Sequence, residues 1–307
     1  MHRALISLSA LSLAALPALA ETRDYPADTF TRLDVSEAIM VVFETGSDTR
    51  VTVDQAEGDF SDIQIETRDD TLWIDRKSAG RGWRSNLSTD FDKGILRAKV
   101  NGKRVPSYTV RITAPSLAAI DVSRSAMVTA SGLASDNLDL AASSSADLSV
   151  SGRAGRVDID ASSSADIDAE NLEATRLTID AASSSDVKAR AISADQVRIS
   201  ASSSADVELD LQQTGEVYLE ASSSADLELS GTCERIKLFA SSSADIEGRD
   251  LTCNSADIKA SSSADIALSV TESVKASASS GGDITIRGNP ADRDVRESSG
   301  GDISIKS

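Results

Sequence analysis

Apolar and polar residues alternate without a break through 217–229, VYLEASSSADLEL. Val217, Leu219, Ala221, Ser223, Ala225, Leu227 and Leu229 share one parity; Tyr218, Glu220, Ser222, Ser224, Asp226 and Glu228 share the other. A period of two predicts a strand with one face buried. The same pattern runs through 157–169, 197–209 and 236–248. Helical spacing does not appear, and so many Ser, Asp and β-branched residues oppose a helix. Strict alternation places the middle serine and the alanine of each Ser-Ser-Ser-Ala-Asp inside, and the first serine, third serine and aspartate outside.

That motif is a repeat. SSSAD stands at 143–147, 162–166, 202–206, 222–226, 241–245 and 261–265. Variants complete the series: SRSAM at 123–127, ASSSD at 182–186, and SSGGD at 279–283 and 298–302. Successive copies start 18 to 20 residues apart. Repeats of this length stack as a solenoid, each turn burying its apolar face against its neighbours. The small inward residues predict a tight corner between two walls, and a polar link, often with Gly152- or Gly231-type glycines, closes the turn. The fold class expected is all-β: a parallel β-solenoid of ~20-residue turns. Ten copies at ~4.8 Å per turn give a stack about 45 Å long.

Upstream, 30–35, 39–45 and 50–54 read as short strands, and 63–76 as a hairpin turning at Asp69-Asp70. They are expected to begin the same sheet and cap its open edge against aggregation. Arg293, Val295 and Glu297 mark a polar last turn. The division expected is a leader at 1–20, N-terminal strands and cap at 28–119 with a basic insertion at 77–107, and the repeat coil at 120–307.

Composition sharpens this picture. A short basic start (His2, Arg3), a Leu-rich stretch and Ala18-Leu19-Ala20 read as a cleaved secretory signal, too short to span a bilayer. The protein is therefore expected to be exported, to the periplasm or the outer cell surface, with no transmembrane segment. Aromatics make up only 3% of the chain, which suits the thin aliphatic core of a coil. The one histidine is His2, so a processed chain lacks Ser-His-Asp or Cys-His catalysis and His-ligated metal. Net charge is −18, and the residues from Leu133 onward hold 31 acids against 15 bases. Nucleic acid is a poor partner for such a surface.

The outward aspartates Asp147, Asp166, Asp186, Asp206, Asp226, Asp245 and Asp265, continued by Asp283 and Asp302, should form a column. Unit charges ~4.8 Å apart in water repel by a little under ~1 kcal/mol, so serine hydroxyls or free backbone N–H groups at the corner are expected to offset them. No cofactor is expected on this reading. The sharper alternative is a calcium ladder on Asp147 to Asp265, although one carboxylate per turn is sparse for an ion that takes six to eight oxygens. A flat template for ice or a crystalline glycan is a third option. A polysaccharide lyase or hydrolase would need acids and bases gathered in one groove, and here they are dispersed.

The basic insertion is a second candidate site. Between Lys77 and Arg104 lie eight bases and two acids. Arg81, Trp83, Arg84, Lys93, Arg97, Lys99, Lys103 and Arg104 are the candidate contacts for an anionic envelope glycan or lipid, or for a protein partner, with Trp83 as apolar anchor. Self-association, basic loop on acidic coil, is another use. The bland reading is a solvated, hairpin-like loop. Cys233 and Cys253 each lie eight residues before the next motif and so occupy one position on adjacent turns, which predicts a disulfide.

These segments resemble a known family. Residues 39–45 and 50–54, DDTLWI at 69–74, YTVRITAPSLAAIDVS at 108–123 and the serial motifs after it are similar to the bacterial head GIN domain, also called the auto-transporter adhesin domain, from about Phe30 to Ser307. The resemblance implies a right-handed parallel β-solenoid in the cell envelope and no defined activity. Family turns favour Gly-Ser-Gly-Asp, whereas most copies here read Ser-Ser-Ala-Asp. A corner without glycine is expected to be an extended bend rather than a left-handed turn. The function expected is an exported, non-enzymatic binding or structural module, adhesin-like.

Overall fold

A computed structural model describes residues 21–77 and 87–306. The described residues are all β, without a helix, and wind as stacked parallel coils into a β-solenoid of about nine turns. The leader expected at 1–20 lies outside the described residues.

Most turns are one long strand bent once. Met127–Ser143, Asp147–Ser162, Asp166–Ala182, Asp206–Ser222, Asp226–Ala240 and Asp245–Ser261 each run from one serine corner to the next. Neighbours pair in parallel on both walls: Leu148 lies opposite Ile167, and Ile159 opposite Ile179. The buried parity of Val, Ile, Leu and Ala forms one continuous core from Phe30 to Ile286. Register slips fall at the far bend, for example between Leu211 and Thr214 and between Glu228 and Ser230. Bulges there absorb the variation in repeat length, and the serine corners stay in step. Gly231 shows how close that bend packs: its φ is 102°, and an added Cβ would sit 1.8 Å from the Leu211 carbonyl oxygen.

The serine corner differs from expectation in two ways. First, the middle serine points out: Ser223 and Ser224 are both exposed, while Ala221 and Ala225 are buried. Second, the corner is a left-handed turn, not an extended bend. The second and third serines have φ of 57° and 61° at Ser223 and Ser224, and copies from Ser144-Ser145 to Ser262-Ser263 repeat this. The Ala225 N–H donates to the Ser222 carbonyl at 3.3 Å, closing a β-turn whose two central residues have positive φ. Two left-handed residues reverse the chain while returning Ala225 to the inward parity, so alternation on either side survives. Left-handed serine is disfavoured, but the stack holds it: each third-serine N–H donates to the second-serine carbonyl of the next copy, as Ser204 to Ser223 and Ser224 to Ser242, both at 3.1 Å. The ladder extends upstream through Arg124-Ser125 to Glu37-Ala38, a corner with no sequence signature.

At the N-terminal end both walls change from parallel to antiparallel pairing. On one wall Met40–Thr45 and Ser107–Ala114 continue the parallel stack, and Arg50–Glu57 and then Glu21–Tyr25 close it antiparallel. On the other, Arg32–Val35 and Thr71–Arg76 continue it, and Ile63–Arg68 closes it. The hairpin turns at Asp69 and Asp70, with φ of 47° and 68°. The strands therefore cap the coil. The insertion is more ordered than a solvated loop over 87–104: Leu87–Asp92, Ile95–Val100 and Lys103–Arg104 form a separate three-stranded antiparallel sheet. Leu96 and Ala98 pack with Ala38 as its small core. Arg76 anchors its base. Its guanidinium, 1% exposed, pairs with Asp62 at 2.9 Å and donates to the carbonyls of Glu37, Ala38 and Pro106.

Candidate functional site

Three outward features carry chemistry. The first is the aspartate column. Asp147, Asp166, Asp186, Asp206, Asp226, Asp245, Asp265, Asp283 and Asp302 stand opposite one another, turn on turn. Beside it runs a second column, Lys188, Glu208, Glu228 and Glu247, and the two line a groove of about 500 Å³. The aspartates' own backbone N–H groups are committed to stacking: that of Asp166 donates to Ala146 and that of Asp206 to Ser185, both at 2.9 Å. Crowding and burial favour the protonated form at four of the nine aspartates. Burial, then the charges of Asp147 and Asp186, push Asp166 up to about 6, and it shares hydrogen bonds with both. Asp147, Asp206 and Asp245 are also raised, each first by burial. Among the described residues no group of three or more His, Cys, Asp or Glu is arranged to hold a metal ion.

The second feature is the basic insertion. Arg81, Trp83 and Arg84 lie outside the described residues. Arg97, Lys99 and Arg104 converge on one groove of about 240 Å³ with Asp90, Ser88 and Thr89. Lys93 sits in the turn before Gly94, and Lys103 opposite Val100 at the sheet's edge. Two of these bases are engaged: Arg97 pairs with Glu57 at 3.0 Å and Asp92 at 3.2 Å, and Arg104 with Glu57 at 3.4 Å. The hydrogen bond that the Arg97 guanidinium donates to Glu57 holds it above its ordinary range.

The third feature is absent from the candidates read off the sequence. Tyr218 and Phe239 are the last two aromatics of the chain, 110 and 131 positions after Tyr108 (218 − 108 and 239 − 108). Both take outward positions on adjacent turns, and their rings lie 5.8 Å apart. Arg198 stands over Tyr218 at 5.8 Å and Lys259 over Phe239 at 5.0 Å. A groove of about 290 Å³ opens on one side, lined by Arg198, Glu216, Tyr218, Arg235, Lys237 and Asp257. Another of about 340 Å³ opens on the other side, with Glu220, Phe239 and Lys259. The signal was available: two outward aromatics one repeat apart in a coil otherwise without them. The Cys233–Cys253 disulfide, Cα atoms 4.5 Å apart, ties together the turns that carry Phe239 and Lys259.

Residues 29–214 and 189–290 match the family model described as "putative auto-transporter adhesin, head GIN domain". The chain belongs to the head GIN domain family. Three solved structures show a similar course at low identity. A "putative lipid binding protein" from Parabacteroides distasonis is 16% identical, with 94% of this chain and 97% of that chain covered and a TM-score of 0.46. A "putative adhesin" from Parabacteroides merdae is 15% identical, with the same coverage and a TM-score of 0.48. One from Bacteroides fragilis is 17% identical, again with that coverage, at a TM-score of 0.32. At these values the likenesses carry no functional transfer. A comparison with curated proteins finds no match. Among the described residues of this head GIN chain, no helix is long and apolar enough to cross a membrane.

Proposed function

We propose that this head GIN protein is an exported, non-enzymatic binding and structural module of the bacterial envelope, adhesin-like in its use of a long rigid wall. The observation that carries the reading is the regular column of outward aspartates, repeated at the same corner of every turn from Asp147 to Asp302, with glutamates beside it on three turns. Hydrolysis and elimination on sugars require an acid and a base converging on one bond, and dispersal along an axis suits repeated contact with an extended partner instead. The family's description agrees with that use. Lys93, Arg97, Lys99, Lys103 and Arg104, with Arg81, Trp83 and Arg84 beside them in sequence, are the proposed contacts for anionic envelope lipid, glycan or protein.

The test is capture from envelope extract on immobilised mature protein, beside a variant with 78–105 replaced by a short Gly/Ser link. Recovery of glycan or acidic lipid, with polymer length unchanged on incubation, is expected. New reducing ends or unsaturated products would replace this reading with the enzymatic one. N-terminal sequencing of the protein from a periplasmic or surface fraction should begin at Glu21; a start at Met1 in the cytosol would remove export. Millimolar calcium is expected to leave the thermal midpoint unchanged, because among the described residues no three acids converge to give the ion the six to eight oxygens it takes. A calcium-dependent rise would assign the Asp147–Asp265 column to metal and make the adhesin calcium-dependent.

A further inference from the structure

We infer that the Tyr218/Phe239 face is a binding site for a linear polysaccharide bearing carboxylate sugars. The inference rests on the binding-module reading above and names a site and a ligand class for it. The chemistry follows from what surrounds the two rings. Glu216 pairs with Arg235 at 2.8 Å, Asp257 faces Lys275 at 4.0 Å, and Glu220 accepts the Tyr218 hydroxyl. Glu216 and Asp257 are thus paired with cations, while Glu220 keeps its charge and Asp257 one unpartnered oxygen, Oδ1. Arg198, Lys237 and Lys259 have no ion pair among the described residues, and two of them stand over the aromatic faces. On a chain of net charge −18, this is a local surplus of cations around an apolar platform.

A sugar ring fits that combination. Its C–H face can lie on an aromatic face, whose negative quadrupole prefers positive hydrogen edges, and a carboxylate on the ring can meet Arg198, Lys237 or Lys259 in charge-assisted hydrogen bonds. The grooves either side of the rings line four successive turns, from Arg198 to Asp257. That is about 14 Å along the axis, so a polymer rather than a single sugar fills it. The surface is also preorganised: parallel ladders hold each turn in register, and the disulfide clamps two of the four. Little ordering remains to oppose binding.

The bland role of the same residues is a cross-strand aromatic pair that adds stability. The experiment separates the two. Binding of the mature protein to polygalacturonate, alginate and the neutral polymer dextran is measured by affinity electrophoresis and calorimetry. Wild type is compared with Tyr218→Thr/Phe239→Thr, Lys237→Glu/Lys259→Glu and the variant with 78–105 replaced. Expected are binding of at least one acidic polymer, no binding of dextran, and roughly tenfold or greater weakening in the first two variants. Replacement of 78–105 should leave this affinity unchanged. Thermal midpoints check that the variants fold. Loss of stability with unchanged affinity overturns the site. Equal binding of dextran, or no binding of either acidic polymer by wild type, overturns the ligand class. Loss of a concentration-dependent dimer in the variants would mark a self-association face and also overturn it. If wild type captures envelope material but binds neither acidic polymer, this site fails and the binding-module reading stands.

Discussion

Ser224 occupies a left-handed conformation at φ 61° and is exposed, so its backbone matters more than its side chain. Replacing it tests the corner cleanly, with no change in burial. Ser224→Gly is expected to be near neutral, because relief of the left-handed penalty is offset by the greater freedom of the unfolded chain. Ser224→Val is expected to cost about 2 kcal/mol, since a β-branched residue is a true outlier there. Urea unfolding of the variants reads both; equal stability of Val and Gly would contradict the left-handed corner. Glycine at the same site in the last copies, Gly281 and Gly300, has φ of 75° and 82°, so the glycine of these copies and the serine of the earlier ones serve one conformation. Arg76 is the other residue whose role is backbone order. Arg76→Met leaves Asp62 without its cation, with only the Tyr108 hydroxyl as side-chain donor, and strands three carbonyls; a loss of roughly 3 kcal/mol is expected. Hydrogen exchange should show it concentrated at the base of the 87–104 sheet; a uniform loss would place the anchor elsewhere.

At the scale of the element, the turn is defined by what is allowed to vary. The serine corner keeps its register because its N–H groups bond the next copy, while the far bend takes up insertions through bulges. The Cys233–Cys253 bridge joins two such turns across 20 residues. Closing a loop of that length in the unfolded chain is worth about 3 kcal/mol on the chain-entropy account. The double replacement Cys233→Ala/Cys253→Ala should therefore lower stability by about 2–3 kcal/mol in urea. It should also soften the turns carrying Phe239 and Lys259, seen as faster amide exchange there. No change in stability would mean that the stack already supplies the constraint.

For the whole molecule, the carboxylate columns make pH a lever on stability. Asp34 is pushed up to about 6 by burial and by Asp121 and Asp75, and Asp166 to about 6 by burial and its column neighbours. Asp121, Asp147, Asp180, Asp206 and Asp245 are raised as well. A raised carboxylate binds its proton more tightly in the folded coil than in the unfolded chain, so the folded state gains from protonation. That stability is fully present below about 3.8 and is lost as pH climbs through about 6. The thermal midpoint is expected to rise as pH falls from 7 towards 4. Asp166→Asn should raise the midpoint at pH 7 by roughly 1–2 °C and flatten part of the slope. A midpoint that falls over the same range would show that the columns are stabilised as anions, by metal or by partner.

The alternation at 217–229 and the 18–20-residue spacing determined by themselves that the chain is a parallel β-solenoid, which side of each strand faces the core, and that Cys233 and Cys253 share a register. These are periodic properties, and a period is written wholly in the sequence. The conformation of the corner was decided only in three dimensions, because two left-handed serines leave the parity of Ala225 unchanged and are invisible to an alternation rule. The sheet at 87–104, the corner at Glu37-Ala38 and the anchoring of Arg76 depend on contacts between distant segments. The Tyr218/Phe239 face depends on which turns stand side by side and which cations their ion pairs leave over. Stacking makes neighbours of residues twenty positions apart, so the composition of an outer face is settled by register, one wall at a time.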